Sequence, residues 1–159
     1  GGGGGGGGQT DGFELDLYAP TPKVLKKQPS LQEGIPMADG TMMKELANGD
    51  KYTGTFKGDQ RWGTGKCEYA KGGVYEGEWA GDAREGRGRM AFANGDVYAG
   101  AWAGGRRHGP GRMEYRSLRG QKNEDVIVEY DGNWDADVRS GVGRCRFADG
   151  AELEGAFAA

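Results

Sequence analysis

Apolar and polar residues alternate along short segments of the chain, and similar segments recur at a fixed spacing. Residues 52–56 (Tyr-Thr-Gly-Thr-Phe), 75–79 and 98–102 begin 23 residues apart, each with a tyrosine, a glycine and a second aromatic residue at alternate positions. Such alternation predicts β-strands with one apolar and one polar face. A period of this length indicates an array of small units that bury their apolar faces against one another.

A second alternating segment follows in each unit, as in residues 65–69, so each unit is predicted to form a β-hairpin. The Asn-Gly pairs at 48–49 and 94–95 separate successive units and predict tight type I′ turns. Within a unit we expect a longer polar loop, over about residues 57–64 in the first one. Connections this short pair neighbouring strands antiparallel, which predicts a meander of roughly ten strands.

The predicted fold is therefore all-β, a single-layer, curved and elongated antiparallel β-meander. Only 35% of the residues are hydrophobic and many of the large ones are aromatic, so aromatic rings must provide most of the core. A glycine between two bulky residues lets a neighbouring ring lie over bare backbone. We expect the crowded aromatic face to be the inside of the curve.

Composition divides the chain into an arm and a repeat region. Residues 1–39 contain an eight-glycine run and four prolines, which predict a flexible or extended arm. Residues 13–18 alternate and could form a strand, so the arm is either a disordered tail or a segment that orders against a partner or sheet edge. The repeat region comprises a half unit at 40–49, units at 50–72, 73–95, 96–127 (with an insertion near 116–124) and 128–150, and a partial unit at 151–159.

Charge and cysteine usage exclude several classes of protein. The net charge is −3, from 21 basic and 24 acidic residues that are well mixed, so no basic stripe for nucleic acid is predicted. No apolar run approaches the roughly 20 residues of a membrane span. Cys67 and Cys145 occupy the same column of the repeat three units apart, too distant for a disulfide. We interpret both as core thiols in a reducing compartment.

Catalytic, cofactor and metal sites are not predicted. His108 is the only histidine and falls in a loop column with Trp62, Glu85 and Ser140, away from a nucleophile. The glycine-rich segment 63–66 lacks the spacing of a phosphate-binding loop, and acidic residues are spread over strands and turns rather than clustered. The expectation is a protein without enzymatic activity, cofactor or metal.

These residues resemble the MORN (membrane occupation and recognition nexus) repeat family, whose pattern is Tyr-x-Gly-x-Trp, a glycine-containing loop, Gly-x-Gly, an aromatic residue and Asn-Gly. The match is close over 75–95 and 98–115, and it covers about 120 residues. The fourth unit departs from it, with Asp135-Ala136 where other units keep glycine. Family members include lipid kinases, junctophilins, a lysine methyltransferase and ciliary radial-spoke head proteins, and the repeat itself is not catalytic in them.

The resemblance implies an aromatic groove that holds a segment of a partner protein. Exposed apolar patches mark interfaces, and Tyr and Trp are favoured anchors there. The competing interpretation is that curling of the sheet covers these rings. The predicted groove residues are Tyr52, Phe56, Tyr75, Trp79, Tyr98, Trp102, Tyr130 and Trp134.

Partners and location follow from the same resemblance. It favours a structural scaffold in a large cytoskeletal assembly, with a ciliary or flagellar axoneme (radial spoke or central apparatus) as the expected location. The alternatives are a phospholipid-associated membrane tether or an adaptor in a motor or cortical complex. The basic tip at Arg106, Arg107 and His108 is the expected contact for lipid or for an acidic partner. Lipid is the less favoured partner because acidic residues share that edge. Half units at both ends suggest a fragment, or edge-to-edge pairing with another chain such as a homodimer.

Overall fold

One open antiparallel sheet accounts for nearly all of the described structure. The computed structural model describes residues 34–37, 40–120 and 125–157. Each strand pairs with the next one along the chain, so the order in the sheet equals the order in the sequence, and the all-β meander is confirmed. The strands are β1 (Ile35–Pro36), β2 (Met42–Glu45), β3 (Lys51–Lys57), β4 (Gln60–Glu68), β5 (Gly73–Ala80), β6 (Ala83–Phe92), β7 (Val97–Ala103), β8 (Arg106–Glu114), β9 (Ile127–Asp135), β10 (Val138–Phe147) and β11 (Glu152–Phe157).

The two predicted kinds of turn occur in the opposite places. Within units the strands are joined by two residues, and both have positive φ at Gly81–Asp82 (54° and 68°), which is the type I′ geometry. Between units the Gly49 N–H donates to the Leu46 carbonyl, and only the glycine of the Asn-Gly pair has positive φ. The expected long loop over residues 57–64 is wrong because β4 already begins at Gln60.

The ends of the array extend the predicted repeat region slightly. Strand β1 lies within the expected arm and pairs with β2 through Ile35 and Met43. The candidate strand at 13–18 lies outside the described residues, so the division into arm and repeat stays a prediction. The insertion begins with a 3₁₀ turn at Arg116–Leu118, and its residues 121–124 are also outside the described part.

Each unit has a tyrosine ring lying directly over a pair of glycines. Gly54 of β3 and Gly65 of β4 are opposite each other, and a Cβ on either would collide with the Tyr52 ring. The same arrangement holds Tyr75 over Gly77 and Gly88, Tyr98 over Gly100 and Gly111, and Tyr130 over Gly132 and Gly143. We call the side of the sheet that carries these four tyrosines the aromatic face.

The tyrosine hydroxyls satisfy backbone groups at irregularities in the strand pairing. The pairing of β3 with β4 shifts register between Gly54 and Phe56, and the Tyr52 hydroxyl donates to the Thr55 carbonyl between them at 3.1 Å. Tyr98 donates in the same way to Ala101 at 2.9 Å. A carbonyl displaced from the ladder by a bulge needs another donor, and here the core side chain provides it.

Ring contacts connect all the units. Tyr75 meets Trp79 of its own strand at 5.0 Å and Trp102 of the next unit at 5.4 Å, in both cases nearly edge to face. Repetition of this contact produces an unbroken series of rings through Phe56, Tyr52, Trp79, Tyr75, Trp102, Tyr98, Trp134, Tyr130 and Phe157. The core is thus built within one layer of sheet.

The two cysteines belong to this core. Both are buried free thiols, as predicted, and Cys67 pairs in register with Tyr52 on one side and Tyr75 on the other. Burial raises the pKa of both thiols, although Arg61 opposes the effect at Cys67 and Arg139 opposes it at Cys145. Over the residues described, the structure contains no helix long and apolar enough to cross a membrane.

Replacing a glycine beneath a tyrosine should destabilise the fold. In Gly100→Ala the new methyl group meets the Tyr98 hydroxyl and the Gly111 backbone. We therefore expect the free energy of unfolding to fall by about 1–3 kcal/mol. Gly155→Ala is the matched control because it occupies the same column and a Cβ there meets nothing within 4 Å. Urea denaturation measures both; equal losses in the two variants would contradict the role assigned to the tyrosine.

Alkaline pH should unfold the protein through the same tyrosines. Burial raises the pKa of Tyr52 and Tyr98 to about 12, with nearby Arg61 and Arg107 opposing the effect, whereas tyrosine in an unfolded chain titrates near 10. The neutral hydroxyl is favoured by folding, so its contribution is complete below pH about 10 and is lost as pH rises toward 12. Urea denaturation midpoints recorded between pH 8 and 12 measure this loss of stability. A midpoint that stays constant over that range would contradict the prediction.

Candidate functional site

Seven of the eight predicted groove residues are buried, so the expectation of an open aromatic surface is wrong for them. The tyrosines are fully buried, the tryptophans are at most 4% exposed, and Phe56 is partly buried against the same core. Edge-to-face packing joins the tyrosine and tryptophan rings, and glycine backbone covers another side of each tyrosine. Their part in partner binding stays a prediction. The buried set is Tyr52, Tyr75, Trp79, Tyr98, Trp102, Tyr130 and Trp134.

Arginine side chains complete the cover of the tryptophans. Arg61 lies over the Trp79 ring of the next unit with its guanidinium carbon 4.1 Å from the ring centre. Arg84 covers Trp102 at 4.2 Å, and Arg107 covers Trp134 at 4.3 Å. A guanidinium stacked on an aromatic face is held by cation–π attraction and by packing of its stem. Because each arginine covers the following unit, neighbouring units depend on one another.

The I′ turn of the following unit holds two of these arginines through an aspartate. Asp82 accepts at one carboxylate oxygen from the Arg61 backbone N–H and from Nε, both at 3.0 Å. A further guanidinium nitrogen donates to the Asp82 carbonyl, and the Asp82 N–H donates to the Arg61 carbonyl. Asp137 holds Arg107 through the same four bonds. Arg84 contacts the turn at Gly105 through backbone groups, and we call each of the three arginine–turn contacts a clamp.

Both clamp carboxyls are more acidic than usual. Partial burial opposes ionisation of Asp82, but the backbone and side-chain hydrogen bonds from Arg61 outweigh it, so the pKa is lowered. At Asp137 burial is likewise outweighed, first by the Arg107 side chain and then by its backbone, and the pKa is again lowered. The carboxylates are therefore charged partners of the arginines at neutral pH.

Two of the three residues of the predicted basic tip lie beside aspartates of the array. Arg107 is held in its clamp, with 19% of its side chain exposed. His108 is exposed, and its Nδ1 lies 3.4 Å from the Asp135 carboxylate. Arg106 is exposed on the neighbouring strand position. The sequence placed Arg107 in the basic tip, whereas in the structure it stacks on a tryptophan and pairs with an aspartate as Arg61 does.

A cavity of about 600 Å³ opens on the aromatic face beside Tyr69, and we call it the Tyr69 cavity. Its lining includes the half-buried Tyr69, parts of Trp79 and Met90, and the clamp residues Arg61 and Arg84. Further polar groups line it, so apolar surface and hydrogen-bonding groups converge in one place. Those further lining residues are Asn48, Asp50, Ala70, Lys71, Gly72, Asp82, Ala83 and Gly105.

Two buried aspartates, which sequence reasoning missed, organise the other turns. Asp50 is 8% exposed and accepts from the Ala70 N–H of the next inter-unit turn at 2.9 Å. Asp96 is 6% exposed and accepts from the Ser117 N–H at 2.8 Å, which ties down the start of the insertion. Burial opposes ionisation of Asp96, but these hydrogen bonds outweigh it and its pKa is lowered. The signal available was the Asn-Gly-Asp triplet at 48–50 and 94–96.

No cluster of three or more His, Cys, Asp or Glu side chains that could hold a metal occurs within 34–37, 40–120 and 125–157. The arrangement instead offers apolar surface, a half-buried phenol and guanidinium groups. These groups suit recognition of a polypeptide by packing and hydrogen bonding.

The fold defines an open, single-layer repeat protein in which each hairpin is covered by the one before it. A family model for the MORN repeat matches residues 52–74, 75–97, 98–117 and 130–152, more than half of the chain. The chain therefore belongs to the MORN repeat family. The third match ends at the start of the insertion, and the fourth begins after it.

Comparison with other known proteins adds little to this assignment. No curated protein matches the chain. Among solved structures, one similar chain is the SAS-4 (dCPAP) TCP domain of Drosophila melanogaster, in complex with a proline-rich motif of Ana2 (dSTIL). It is 13% identical, the match covers 89% of this chain and 92% of that chain, and the TM-score is 0.25.

Removing a clamp arginine should destabilise the array more than removing an arginine of the opposite face. Arg107→Ala uncovers Trp134 and leaves Asp137 without its arginine partner. We therefore expect the free energy of unfolding to fall by about 1–3 kcal/mol. Arg89→Ala is the control because Arg89 is exposed, and we expect a change within about 0.5 kcal/mol. Urea denaturation monitored by tryptophan fluorescence measures both, and similar losses would contradict the covering role of Arg107.

Proposed function

We propose that the chain is a non-enzymatic scaffold that binds an extended segment of a partner protein on its aromatic face, at the Tyr69 cavity. The observation that carries the proposal is the cavity itself. It combines aromatic and methionine surface with the guanidinium groups of Arg61 and Arg84. A scaffold or protein-interaction role is also what membership of the MORN repeat family supports.

A row of half-buried rings extends the proposed surface along the sheet. The rings occupy one column of the repeat and pack at the margin of the buried core rather than inside it. Tyrosine and phenylalanine in such positions offer contact area at a small loss of conformational freedom. An extended segment that crosses several units would meet them one after another. They are Tyr69, Phe92, Tyr115 and Phe147.

The proposed setting is a multi-subunit cytoskeletal assembly, with the ciliary or flagellar axoneme as the first candidate. This part of the proposal is supported by resemblance to stand-alone structural members of the family. An adaptor role in a motor or cortical complex uses the same cavity and differs only in the identity of the partner. Edge pairing with another chain, including a second copy, is compatible with the outer edge of β11, which pairs with no strand among the described residues.

The lipid-tether alternative has less support from the side-chain arrangement. Of the predicted basic tip, Arg107 is bound by Asp137 and His108 lies beside Asp135. Attraction to an anionic surface requires several free basic groups close together, at about 1 kcal/mol each. Arg106 alone is a weak basis for membrane association.

Photo-cross-linking tests the proposal directly. A benzophenone amino acid replaces Lys71, which is exposed and lines the Tyr69 cavity, and the protein is expressed in ciliated cells and irradiated. We expect a discrete cross-linked protein, whose identification by mass spectrometry shows whether it belongs to the axoneme. The same amino acid at Lys66, exposed on the opposite face, is the control.

Two outcomes would overturn the proposal. Identical cross-linking patterns from positions 71 and 66 would show that the cavity has no special role in binding. Flotation of the purified protein with anionic vesicles, reversed by salt and by Arg106→Ala, would favour the lipid tether instead.

A further inference from the structure

The three clamps of the described array are not identical. In the first and third the turn residue is Asp82 or Asp137, whereas the corresponding residue in the second is Gly105. The backbone is otherwise the same, since the Gly105 N–H donates to the Arg84 carbonyl at 2.9 Å and the Arg84 guanidinium donates to the Gly105 carbonyl at 2.5 Å. The middle clamp therefore retains its arginine and its turn but has no carboxylate of its own.

Two donors of Arg84 are affected by this difference. In the other clamps the arginine backbone N–H and Nε both donate to a single carboxylate oxygen, at 2.8–3.0 Å. Arg84 faces Trp79 across the hairpin as Arg61 faces Phe56, so its backbone N–H points toward the following unit in the same way. Within 34–37, 40–120 and 125–157, neither donor of Arg84 has an acceptor, and its guanidinium has no ion pair.

The nearby carboxylates are engaged elsewhere. Asp137 accepts from Arg107, and Glu85 accepts from the Gly104 N–H at 2.9 Å. A Cβ built on Gly105 meets nothing within 4 Å, so there is open space beside the Arg84 donors. That space adjoins the Tyr69 cavity, because Arg84 and Gly105 both line it.

We propose that the Arg84 clamp binds the carboxylate of an aspartate or glutamate side chain carried by the partner segment. The proposal rests on the proposed function, since it assigns one residue of the segment that occupies the Tyr69 cavity. The incoming carboxylate takes the position that the Asp82 and Asp137 side chains take in the clamps on either side. Charge-assisted hydrogen bonds from a stacked arginine make this the point at which the partner is held in register.

The chain itself shows why the ligand is a carboxylate. At both occupied clamps a carboxylate oxygen accepts the two donors, and the ring below fixes the plane of the guanidinium. The stack leaves the guanidinium edge, rather than its face, for the ligand. A carboxylate in that plane meets the backbone N–H and Nε together.

Acetate is the probe that tests the site without the partner. The full chain, labelled with ¹⁵N, is titrated with sodium acetate at pH 7 and, separately, with sodium chloride at equal ionic strength. We expect the backbone and Nε signals of Arg84 to shift in a saturable way with acetate alone, while those of Arg61 and Arg107 do not. Equal responses at all three arginines, or a response of Arg84 to inorganic phosphate but not to acetate, would overturn the proposal.

Gly105→Asp supplies the internal carboxylate and should abolish the acetate response of Arg84. The variant should fold, because Gly105 has φ of 82° and the aspartates in the same column have φ of 68° and 76°. Gly58→Asp is the control, since it adds the same charge at the turn between β3 and β4, where a Cβ meets nothing within 4 Å. Asp82→Gly removes the carboxylate that pairs with Arg61, so the backbone and Nε signals of Arg61 should then shift with acetate. An unchanged Arg84 response in Gly105→Asp would refute the site.

Cross-linking from position 71 then connects the site to the partner. Gly105→Asp should weaken partner capture about tenfold or more, the loss expected for a charge-assisted hydrogen-bonded pair, and Gly58→Asp should not. Absence of any cross-linked partner from position 71 would refute the proposed function whatever acetate does. Normal capture by Gly105→Asp would refute the carboxylate contact while leaving the proposed function intact.

Discussion

A tyrosine ring can lie flat on a β-sheet only where the backbone beneath it has no Cβ, and the composition and period of this chain follow from that contact. Glycine in the middle of a strand costs about 0.5–1 kcal/mol, so each pair costs about 1–2 kcal/mol. Burial of a tyrosine, at 150–250 Å² and about 25 cal/mol per Å², contributes about 4–6 kcal/mol. Burial of the tyrosine therefore outweighs the cost of the two glycines. As a result, a sheet without a second layer contains fully buried rings such as Tyr75.

Cover from above is supplied by the neighbouring unit, and it makes the array cooperative. Trp79 packs on Tyr52 of the preceding unit and is itself covered by Arg61, while Asp82 fixes that arginine. Each hairpin thus receives part of its core from the one before it. Stability in such an array depends on contacts between neighbours, so a defect in one clamp is felt by the adjacent units first.

Much of the fold could be predicted from the sequence, because alternation and period are local signals. The strand order, the tyrosine–glycine contact and the burial of Cys67 all follow from columns of the repeat. The turns could not be assigned, because Asn-Gly fits both a type I′ turn and a type I turn followed by a left-handed glycine. The cover of the rings was also missed, since an arginine near a loop, such as Arg84, resembles a solvated charge until its neighbours in space are known.

In so regular an array, specific recognition should depend on positions where one unit differs from the others without internal compensation. The insertion differs most in length, but its start is bound by Asp96 through Ser117, in the way that Asp50 binds the inter-unit turn at Ala70. Gly105 differs by a single side chain, yet among the described residues two donors of Arg84 lack the acceptor that the flanking clamps possess. Water can solvate those donors at little cost in the free chain, whereas a partner that covers them must provide an acceptor or lose affinity. A one-residue departure can therefore discriminate among partners more sharply than a long loop whose hydrogen bonds are already made within the chain.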